Sequence, residues 1–244
     1  MRYLAIGDIH GCSQALERLI EAVQPQPEDI IITLGDYINK GPDSKGVIEK
    51  LIQLSQTHNL ISLKGNHELE LLQLKRDREV PRLRRDRNFD DGIQLKYLGV
   101  ETLISYGLPN GKLSLANIPR RHWEFLEHTC VNSWESEHHI FVHANLHPLL
   151  PLSQQPEFNL FWEKLERPIP HYSGKTTICG HTSQKSGQPL NFGHAICIDT
   201  WACGGGWLTC LDVYGGQIWQ TNQQGQVKRS RIEQFLRPQS LITI

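Results

Sequence analysis

Aspartate, asparagine and histidine side chains directly follow five short apolar runs of this 244-residue chain. These side chains are Asp8, His10, Asp36, Asn66, His143 and His181. In layered α/β proteins, ligands bind in the crevice at the carboxyl ends of the strands. If each apolar run is a strand, the six side chains converge on one polar site. A lone histidine is usually a packed or surface residue, but joint occurrence at five strand ends is improbable by chance.

The chemistry of these side chains indicates a metal site. Carboxylate, imidazole and amide oxygen together suit manganese, iron or zinc better than calcium or a thiolate-binding metal. Asp8 and His10 lie two residues apart in an extended segment, so both can point to one side. A carboxylate can bridge two ions, and two ions about 3.5–4 Å apart can clamp a phosphoryl group and activate water. We therefore expect two divalent ions, manganese first, with iron or zinc as alternatives.

The segments that position these residues alternate between short apolar runs, typical of buried strands, and apolar residues at helical spacing. Apolar runs predict buried strands at residues 3–6, 29–34, 59–63, 139–142 and 177–179. Apolar residues at helical spacing follow the first two runs, and we expect Ser13 to cap the first helix and Asp43 or Ser44 the second. Such alternation predicts a layered α/β fold. Residues 146–173 are rich in proline and predict a long loop or cap.

Composition narrows the class of protein. The chain is 39% hydrophobic and 21% charged, as folded proteins are, and its length fits a single catalytic domain spanning residues 1–244. A net charge of -1 gives no indication of a nucleic-acid or membrane partner. The six cysteines are scattered without a CxxC pair, and the apolar N-terminus is too short for a signal peptide. We therefore expect reduced thiols and a cytoplasmic location.

Several ordered motifs resemble those of the phosphoprotein phosphatase family of metallophosphoesterases, and most closely its bacterial serine/threonine phosphatases. The motifs are residues 7–11 (GDIHG), 35–41 (GDYINKG), 65–68 (GNHE), His143 and residues 180–182 (GHT). Residues 41–44 and 198–200 are similar to that branch as well. The resemblance runs from about residue 3 to about residue 213, most of the chain.

The resemblance implies an α/β (α+β) fold with a central two-sheet β sandwich flanked by helices. It implies that Asp8, His10 and Asp36 hold one metal ion. The second ion would be held by the bridging Asp36 together with Asn66, His143 and His181. Asn66 would also bind the substrate phosphate, and His67 would be the general acid. Metal-bound water would then attack phosphorus directly and hydrolyse phosphoserine or phosphothreonine.

The chain departs from the family where the substrate and the acid are handled. Family members carry Asp-Arg where this chain has Asn39 and Lys40. Bacterial members carry Trp-x-Arg where this chain has Trp162, Glu163 and Lys164. The Asp normally orients and charges the acid histidine, and the arginines grip the phosphate. Lysine is a point charge without the planar fork of arginine, so we expect Lys40 and Lys164 to bind phosphate less well. We expect Asn39 to accept a hydrogen bond from the His67 ring without adding charge.

Two other functions stay open at this stage. Relatives with the same metal site hydrolyse dinucleoside polyphosphates or other small phosphoesters, so the substrate is either a phosphoprotein or a small phosphoester. Asn39 and the two lysines also suggest a weakened enzyme that binds phosphoproteins. The intact set of metal ligands argues against that last alternative.

Overall fold

The computed structural model describes residues 1–79, 99–107 and 113–237. Within these ranges the strands are β1 (Tyr3–Ile6), β2 (Ile30–Thr33), β3 (Asn59–Ser62), β4 (Ser133–Glu135), β5 (His139–Val142), β6 (Thr176–Cys179), β7 (Leu190–Asn191), β8 (Ala195–Cys197), β9 (Asp199–Thr200), β10 (Trp207–Asp212), β11 (Gln217–Thr221) and β12 (Val227–Arg231). The α-helices are α1 (Ser13–Val23), α2 (Ser44–Thr57), α3 (Asn66–Glu79), α4 (Val100–Ser105), α5 (Arg120–Glu124) and α6 (Glu157–Phe161). A π-helical turn and short 3-10 turns lie at Phe125–Thr129, Leu115–Asn117, Leu152–Gln154, Ala202–Gly204 and Ile232–Phe235.

The strands form two mixed sheets, and each contains three neighbouring parallel strands. The first sheet has the order β12-β11-β10-β1-β2-β3, and β9 pairs with β10. The second has the order β4-β5-β6-β8-β7. The neighbours β1, β2 and β3 are parallel, as are β5, β6 and β8, while the other described strand pairs, including β1 with β10, are antiparallel. The predicted two-sheet fold flanked by helices is confirmed.

Alternation along the strands explains why two sheets pack together. Leu4 and Ile6 of β1 belong to an apolar cluster shared with α1 and α2. Ala5, between them, belongs to a second cluster that includes Phe141 of β5. Successive side chains of a strand point to opposite faces, so one face of the first sheet is covered by helices and the other by the second sheet.

The second sheet has a cover of its own. Ile140 and Val142 of β5 share an apolar cluster with Leu160 and Phe161 of α6. That helix lies inside the proline-rich stretch 146–173, which sequence analysis predicts as a loop or cap. The stretch therefore packs its apolar side chains against the outer face of this sheet.

The helix ends differ in part from prediction. The predicted cap at Ser13 is wrong, because α1 begins at that residue and Cys12 holds the capping position without a side-chain hydrogen bond. The sequence predicts that Asp43 or Ser44 caps the second helix, α2, and Asp43 is the cap. Its Oδ1 accepts from the Gly46 backbone N–H at 2.8 Å. Asp43 follows the loop of Asp36, so this cap also fixes where the loop ends.

In the parts of the chain that the structure describes, no helix combines the length and the apolar character needed to cross a membrane. The single domain spanning residues 1–244 and the cytoplasmic location stay predictions.

A buried ion pair joins the starts of two central strands. Asp29, just before β2, is 2% exposed, and its Oδ2 accepts from Arg2 Nη2 at 2.6 Å. Its Oδ1 accepts from the Arg2 backbone N–H at 2.7 Å. Burial raises the pKa of Asp29, but the hydrogen bonds from Arg2 and from the Gln26 backbone outweigh it, and the pKa is lowered. The carboxylate is therefore better stabilised in the folded chain than in the unfolded one.

We expect Asp29→Asn to lower the free energy of unfolding by about 2 kcal/mol at pH 7. A lowered folded-state pKa gives stability that is present above the unfolded pKa of about 3.9 and lost as the pH falls through the folded value. The deficit should therefore shrink between pH 5 and pH 3, measured by urea unfolding at about these values. The exposed neighbour Glu28 is the control, and Glu28→Gln should change little. Equal stability of both variants at pH 7 would contradict the prediction.

Candidate active site

The six side chains predicted to bind metal lie at the carboxyl ends of parallel strands from both sheets. They follow β1 (Asp8, His10), β2 (Asp36), β3 (Asn66), β5 (His143) and β6 (His181). All of them are buried except His181, which is partly exposed. The two sheets therefore meet at one polar crevice, and this crevice opens to solvent beside His181.

The Asp36 carboxylate lies at the centre of this crevice. Its Oδ2 is 3.2 Å from His10 Nε2, and its Oδ1 is 3.5 Å from His143 Nε2. Two groups of possible metal-ligating atoms share it, and within each group the atoms lie within 4.8 Å of one another. One group is His10, Asp36 and His67, and the other is Asp36, His143 and His181. A carboxylate shared by two such groups has the placement of a bridging ligand.

Backbone carbonyls set the tautomers of two imidazoles. His10 Nδ1 lies 2.8 Å from Ile38 O, and His143 Nδ1 lies 2.8 Å from Leu34 O. A carbonyl oxygen only accepts, so each Nδ1 carries the hydrogen, and the neutral ring has its lone pair on Nε2. In both residues Nε2 is the nitrogen that faces Asp36. Such bonds from the far nitrogen are typical of histidines that bind metals.

His181 reaches the same arrangement with the opposite nitrogen. Its Nε2 lies 3.1 Å from Trp162 O, so its lone pair is on Nδ1, which is 3.1 Å from Asn66 Oδ1. His143 Nε2 lies 3.0 Å from that same amide oxygen. Burial, followed by the His143 ring, lowers the pKa of His181 to about 4. Two imidazole lone pairs and one amide oxygen thus converge, and they repel each other unless a cation lies between them.

Three buried carboxylates add to this repulsion. Burial raises the pKa of Asp8 well above its ordinary value, and the charges of Asp199 and Asp36 raise it further. Burial also acts to raise the pKa of Asp36, but positive charge on the neighbouring imidazoles, His143 foremost, would hold it well below its usual range. Buried anions close together are favourable only with a compensating cation. The donor set therefore fits divalent metal ions.

Asp8 is held differently from the other predicted ligands and belongs to neither three-residue group. Its Oδ2 and Oδ1 accept from the His181 backbone N–H at 3.0 and 3.2 Å. A Cβ atom at Gly180 would lie 1.9 Å from Asp8 Oδ1, so only glycine lets the β6 loop approach this carboxylate. The glycine of the 180–182 motif thus makes room for a carboxylate from the other sheet.

His67, predicted to be the general acid, lies at the edge of the crevice. Its side chain is 18% exposed, and its Nε2 lies 3.9 Å from Asp36 Oδ2. Its Nδ1 lies 2.8 Å from Asn39 Nδ2. The structure therefore brings Asn39 and His67 together, but the amide nitrogen faces the ring instead of the expected oxygen. Burial is the main cause that lowers the pKa of His67 to about 4.

The two lysines predicted to bind phosphate differ in their surroundings. Lys40 is exposed, and its Nζ lies 2.9 Å from His10 Nε2, so it reaches the crevice. Lys164 is also exposed, and its side chain makes no hydrogen bond or ion pair with any residue that the structure describes. The described residues thus give no contact that holds the Lys164 side chain at the crevice.

Glu68 has a structural role that sequence analysis did not assign. It is completely buried, and its Oε2 accepts from the backbone N–H groups of Gly65 and Asp36, both at 2.8 Å. Its Oε1 accepts from Tyr37 N at 2.9 Å and Ile38 N at 3.3 Å. One carboxylate thus ties the loop of Asp36 to the start of α3. The motif 65–68 contains Glu68, but only the fold shows which backbone groups it holds.

Comparison with known proteins places this site in a family. Residues 1–185 match the family model of the calcineurin-like phosphoesterases. A symmetrical bis(5'-nucleosyl)-tetraphosphatase of Acidovorax sp. (strain JS42) is 41% identical over 58 residues, which are 23% of this chain and 21% of that protein. Serine/threonine-protein phosphatase 1 of Salmonella typhimurium is 43% identical over 47 residues, 19% of this chain and 22% of that protein. The chain thus aligns with about a fifth of the length of either relative.

The fold has solved counterparts as well. One is the crystal structure of a protein provisionally called a diadenosine tetraphosphatase, with a TM-score of 0.63. The superposition covers 94% of this chain and 93% of that chain at 23% sequence identity. At this identity the likeness supports the two-sheet fold and leaves the substrate to other arguments.

We expect Glu68→Gln to lower both metal content and stability. Glu68 now accepts from four buried backbone N–H groups, two on each oxygen. A glutamine amide has one oxygen only, so its NH2 group would face two of these N–H groups and leave them without an acceptor. Each unsatisfied group costs about 1–3 kcal/mol, so the two together should lower the free energy of unfolding by about 2–6 kcal/mol.

Glu70→Gln is the matched control, because Glu70 lies on the same helix with its side chain 32% exposed. Denaturant unfolding and elemental analysis of bound metal measure both effects. A Glu68→Gln protein with the metal content and stability of the Glu70→Gln protein would refute this role.

Proposed function

We propose that this chain, which belongs to the calcineurin-like phosphoesterase family and is a hydrolase of phosphoric ester bonds, cleaves dinucleoside polyphosphates. The observation that carries the chemistry is Asp36, whose carboxylate is shared by two groups of ligating atoms. The tetraphosphatase relative supports the substrate class. The sequence motifs leave this substrate open as an alternative to phosphoserine or phosphothreonine, and the relatives support it better.

The proposed metal ligands divide between two ions. Asp8 and His10 would hold one ion with Asp36, and Asp36 would be shared with the second. The remaining ligands of the second ion would be Asn66, His143 and His181. Bound ions would polarise the phosphoryl oxygens and supply a nucleophilic water. Manganese, with iron or zinc as alternatives, stays a prediction, because histidine, carboxylate and amide donors suit all three.

Residues around the ligands would bind and orient the substrate. Lys40 Nζ contacts His10 Nε2, the atom proposed to ligate an ion. When that atom is taken, the exposed ammonium is free to turn and bind a phosphate oxygen as a point charge. Asn66 has an amide NH2 group left to donate to phosphate once its oxygen ligates. His67 Nε2 would face the departing oxygen.

A protein phosphatase is the second candidate function. The observation that favours it is the 43% identity over 47 residues with the Salmonella serine/threonine phosphatase. A weakened enzyme that only binds phosphoproteins has less support, because all six proposed ligand side chains lie in one crevice. The protein phosphatase and the weakened enzyme each predict an order of turnover rates that differs from that of a dinucleoside polyphosphate hydrolase. One panel of substrates therefore separates the three.

We expect the metal-loaded enzyme to turn over diadenosine tetraphosphate faster than a phosphoserine peptide or p-nitrophenyl phosphate. Chelation should abolish all three activities, and added manganese should restore them, because the ions would supply the nucleophile and the charge stabilisation. Chromatography of the released phosphate and nucleotide measures the three rates. A faster rate on the phosphopeptide would favour the second candidate, and undiminished activity after complete metal removal would refute the two-ion site.

The bridging position of Asp36 predicts the largest single effect. Asp36→Asn removes the shared charge, so we expect weaker binding of both ions and a fall in kcat/KM of at least about 100-fold. For comparison, mutation of a residue that only hydrogen-bonds to a metal ligand typically lowers metal affinity or activity by about 10–100-fold. Lys40→Ala, in which every ligand remains, should lower kcat/KM much less and retain both ions. Elemental analysis and steady-state kinetics of both variants decide; an Asp36→Asn enzyme with two ions and normal turnover would contradict the bridge.

A further inference from the structure

A short chain of hydrogen bonds reaches His67 from a buried threonine of helix α4. Thr102 is 1% exposed, and its Oγ1 donates to Asn39 Oδ1 at 2.5 Å. On the other side of the amide, Asn39 Nδ2 lies 2.8 Å from His67 Nδ1. Asn39 is 2% exposed and has a left-handed backbone with φ 66°. The amide is therefore enclosed between a hydroxyl and the imidazole.

The distances fix which way the amide faces. A separation of 2.5 Å is within the range of O–H···O bonds and is shorter than N–H···O bonds allow. Thr102 Oγ1 already accepts from the Asn39 backbone N–H at 2.9 Å, so its own hydrogen is available to donate. A Cβ atom at Gly99 would lie 2.0 Å from Asn39 Oδ1, which shows how closely the α4 backbone packs on the amide. The oxygen thus points to Thr102 and the NH2 group to His67.

This orientation decides where the His67 ring carries its hydrogen. An amide nitrogen only donates, so Nδ1 of the ring must accept with its lone pair. The single hydrogen of the neutral ring then lies on Nε2, the nitrogen on the Asp36 side. The Glu70 carboxylate is 3.9 Å from Nδ1, too far to accept a hydrogen bond from it. With both nitrogens engaged in this way, His67 faces the crevice as a hydrogen-bond donor.

We propose that Thr102 and Asn39 are positioning residues that hold His67 as an Nε2–H hydrogen-bond donor, and that this selects substrates whose leaving group is a phosphate chain. This inference rests on the proposed function. An aspartate at position 39 would instead accept from Nδ1–H and support a ring with two hydrogens, which gives up a proton readily. A neutral ring donates a hydrogen bond but keeps its hydrogen.

The bond changes show why the leaving group matters. The oxygen of water bonds to phosphorus, the bond from phosphorus to the bridging oxygen breaks, and both electrons stay with the departing oxygen. One proton of the water passes to solvent. A departing phosphate chain is stable as an anion, since the second pKa of a phosphate is about 6, and it needs only the hydrogen bond from His67. A departing serine or threonine alkoxide needs a full proton, which a neutral Nε2–H supplies poorly.

The tautomer can be measured without any turnover. We expect long-range nitrogen–proton NMR spectra of the full-length, zinc-loaded, ¹⁵N-histidine-labelled protein to show His67 Nδ1 unprotonated and Nε2 protonated. The His67→Asn spectrum assigns the signals. In Asn39→Asp the hydrogen should appear on Nδ1. A parent protein with hydrogen on His67 Nδ1 would overturn the proposal.

Thr102 has a matched pair of variants. Thr102→Val keeps the shape but loses the hydroxyl, so the Asn39 amide can turn over and His67 should gain hydrogen on Nδ1. Thr102→Ser keeps the hydroxyl and should retain the parent spectrum. A merely structural role of Thr102 would leave both spectra unchanged, and that result would overturn the proposal. If Thr102→Val does not fold, the Asn39→Asp spectrum still decides.

The leaving-group dependence of the rate tests the consequence. Across aryl phosphates of rising leaving-group pKa, kcat/KM should fall steeply for the parent and less steeply for Asn39→Asp. We expect a gain of about tenfold or more on the most basic leaving group, which corresponds to about 1.4 kcal/mol, and a smaller gain on diadenosine tetraphosphate. Parallel plots for the two proteins would overturn the inference.

The same data separate this inference from the proposed function. A parent enzyme that cleaves aryl phosphates but not diadenosine tetraphosphate would refute the proposed substrate, and the NMR spectra would still report the tautomer. Hydrolysis of the phosphoserine peptide as fast as the dinucleotide would refute the selection by leaving group. The metal-dependent activity would stand in that case.

Discussion

The buried charge of Asp36 is the constraint on which the rest of this site depends. A carboxylate that is 2% exposed has almost no water to stabilise it. The protein surrounds it with His10 and His143, one from each sheet. Its backbone N–H is held by the equally buried Glu68. The packing of the two sheets is thus coupled to the placement of one carboxylate.

The same backbone segment that carries Asp36 also orients its neighbours. The carbonyl of Leu34 accepts from His143, and the carbonyl of Ile38 accepts from His10. Each imidazole is therefore aligned by the loop whose carboxylate it faces, and a shift of this loop would move three proposed ligands together. The clamp by Glu68 prevents such a shift, because it holds several backbone N–H groups of that loop at once. A rigid arrangement of this kind keeps the donor atoms close despite their mutual repulsion.

Outside the proposed ligands, the site differs in hydrogen-bond polarity from the phosphatases that its motifs resemble. Asn39 stands where the resemblance leads us to expect aspartate, and its amide presents N–H groups to His67. A change from an acceptor to a donor reverses which ring nitrogen carries hydrogen, while the proposed metal ligands are unaffected. We infer that substrate preference can change in this way without any change in the metal site, because the leaving group is handled by a separate set of residues.

The sequence by itself determined the fold class and the convergence of the six proposed ligand side chains, because an apolar run followed by a polar residue marks a strand end within a few positions of the chain. It did not reveal β12, where Val227–Arg231 has mostly polar, exposed residues and no apolar period. Only the tertiary structure decided the direction of the Asn39 amide, since Thr102 lies 63 residues away along the chain. Hydrogen-bond polarity depends on the partner that the fold supplies, and local patterns carry no record of that partner.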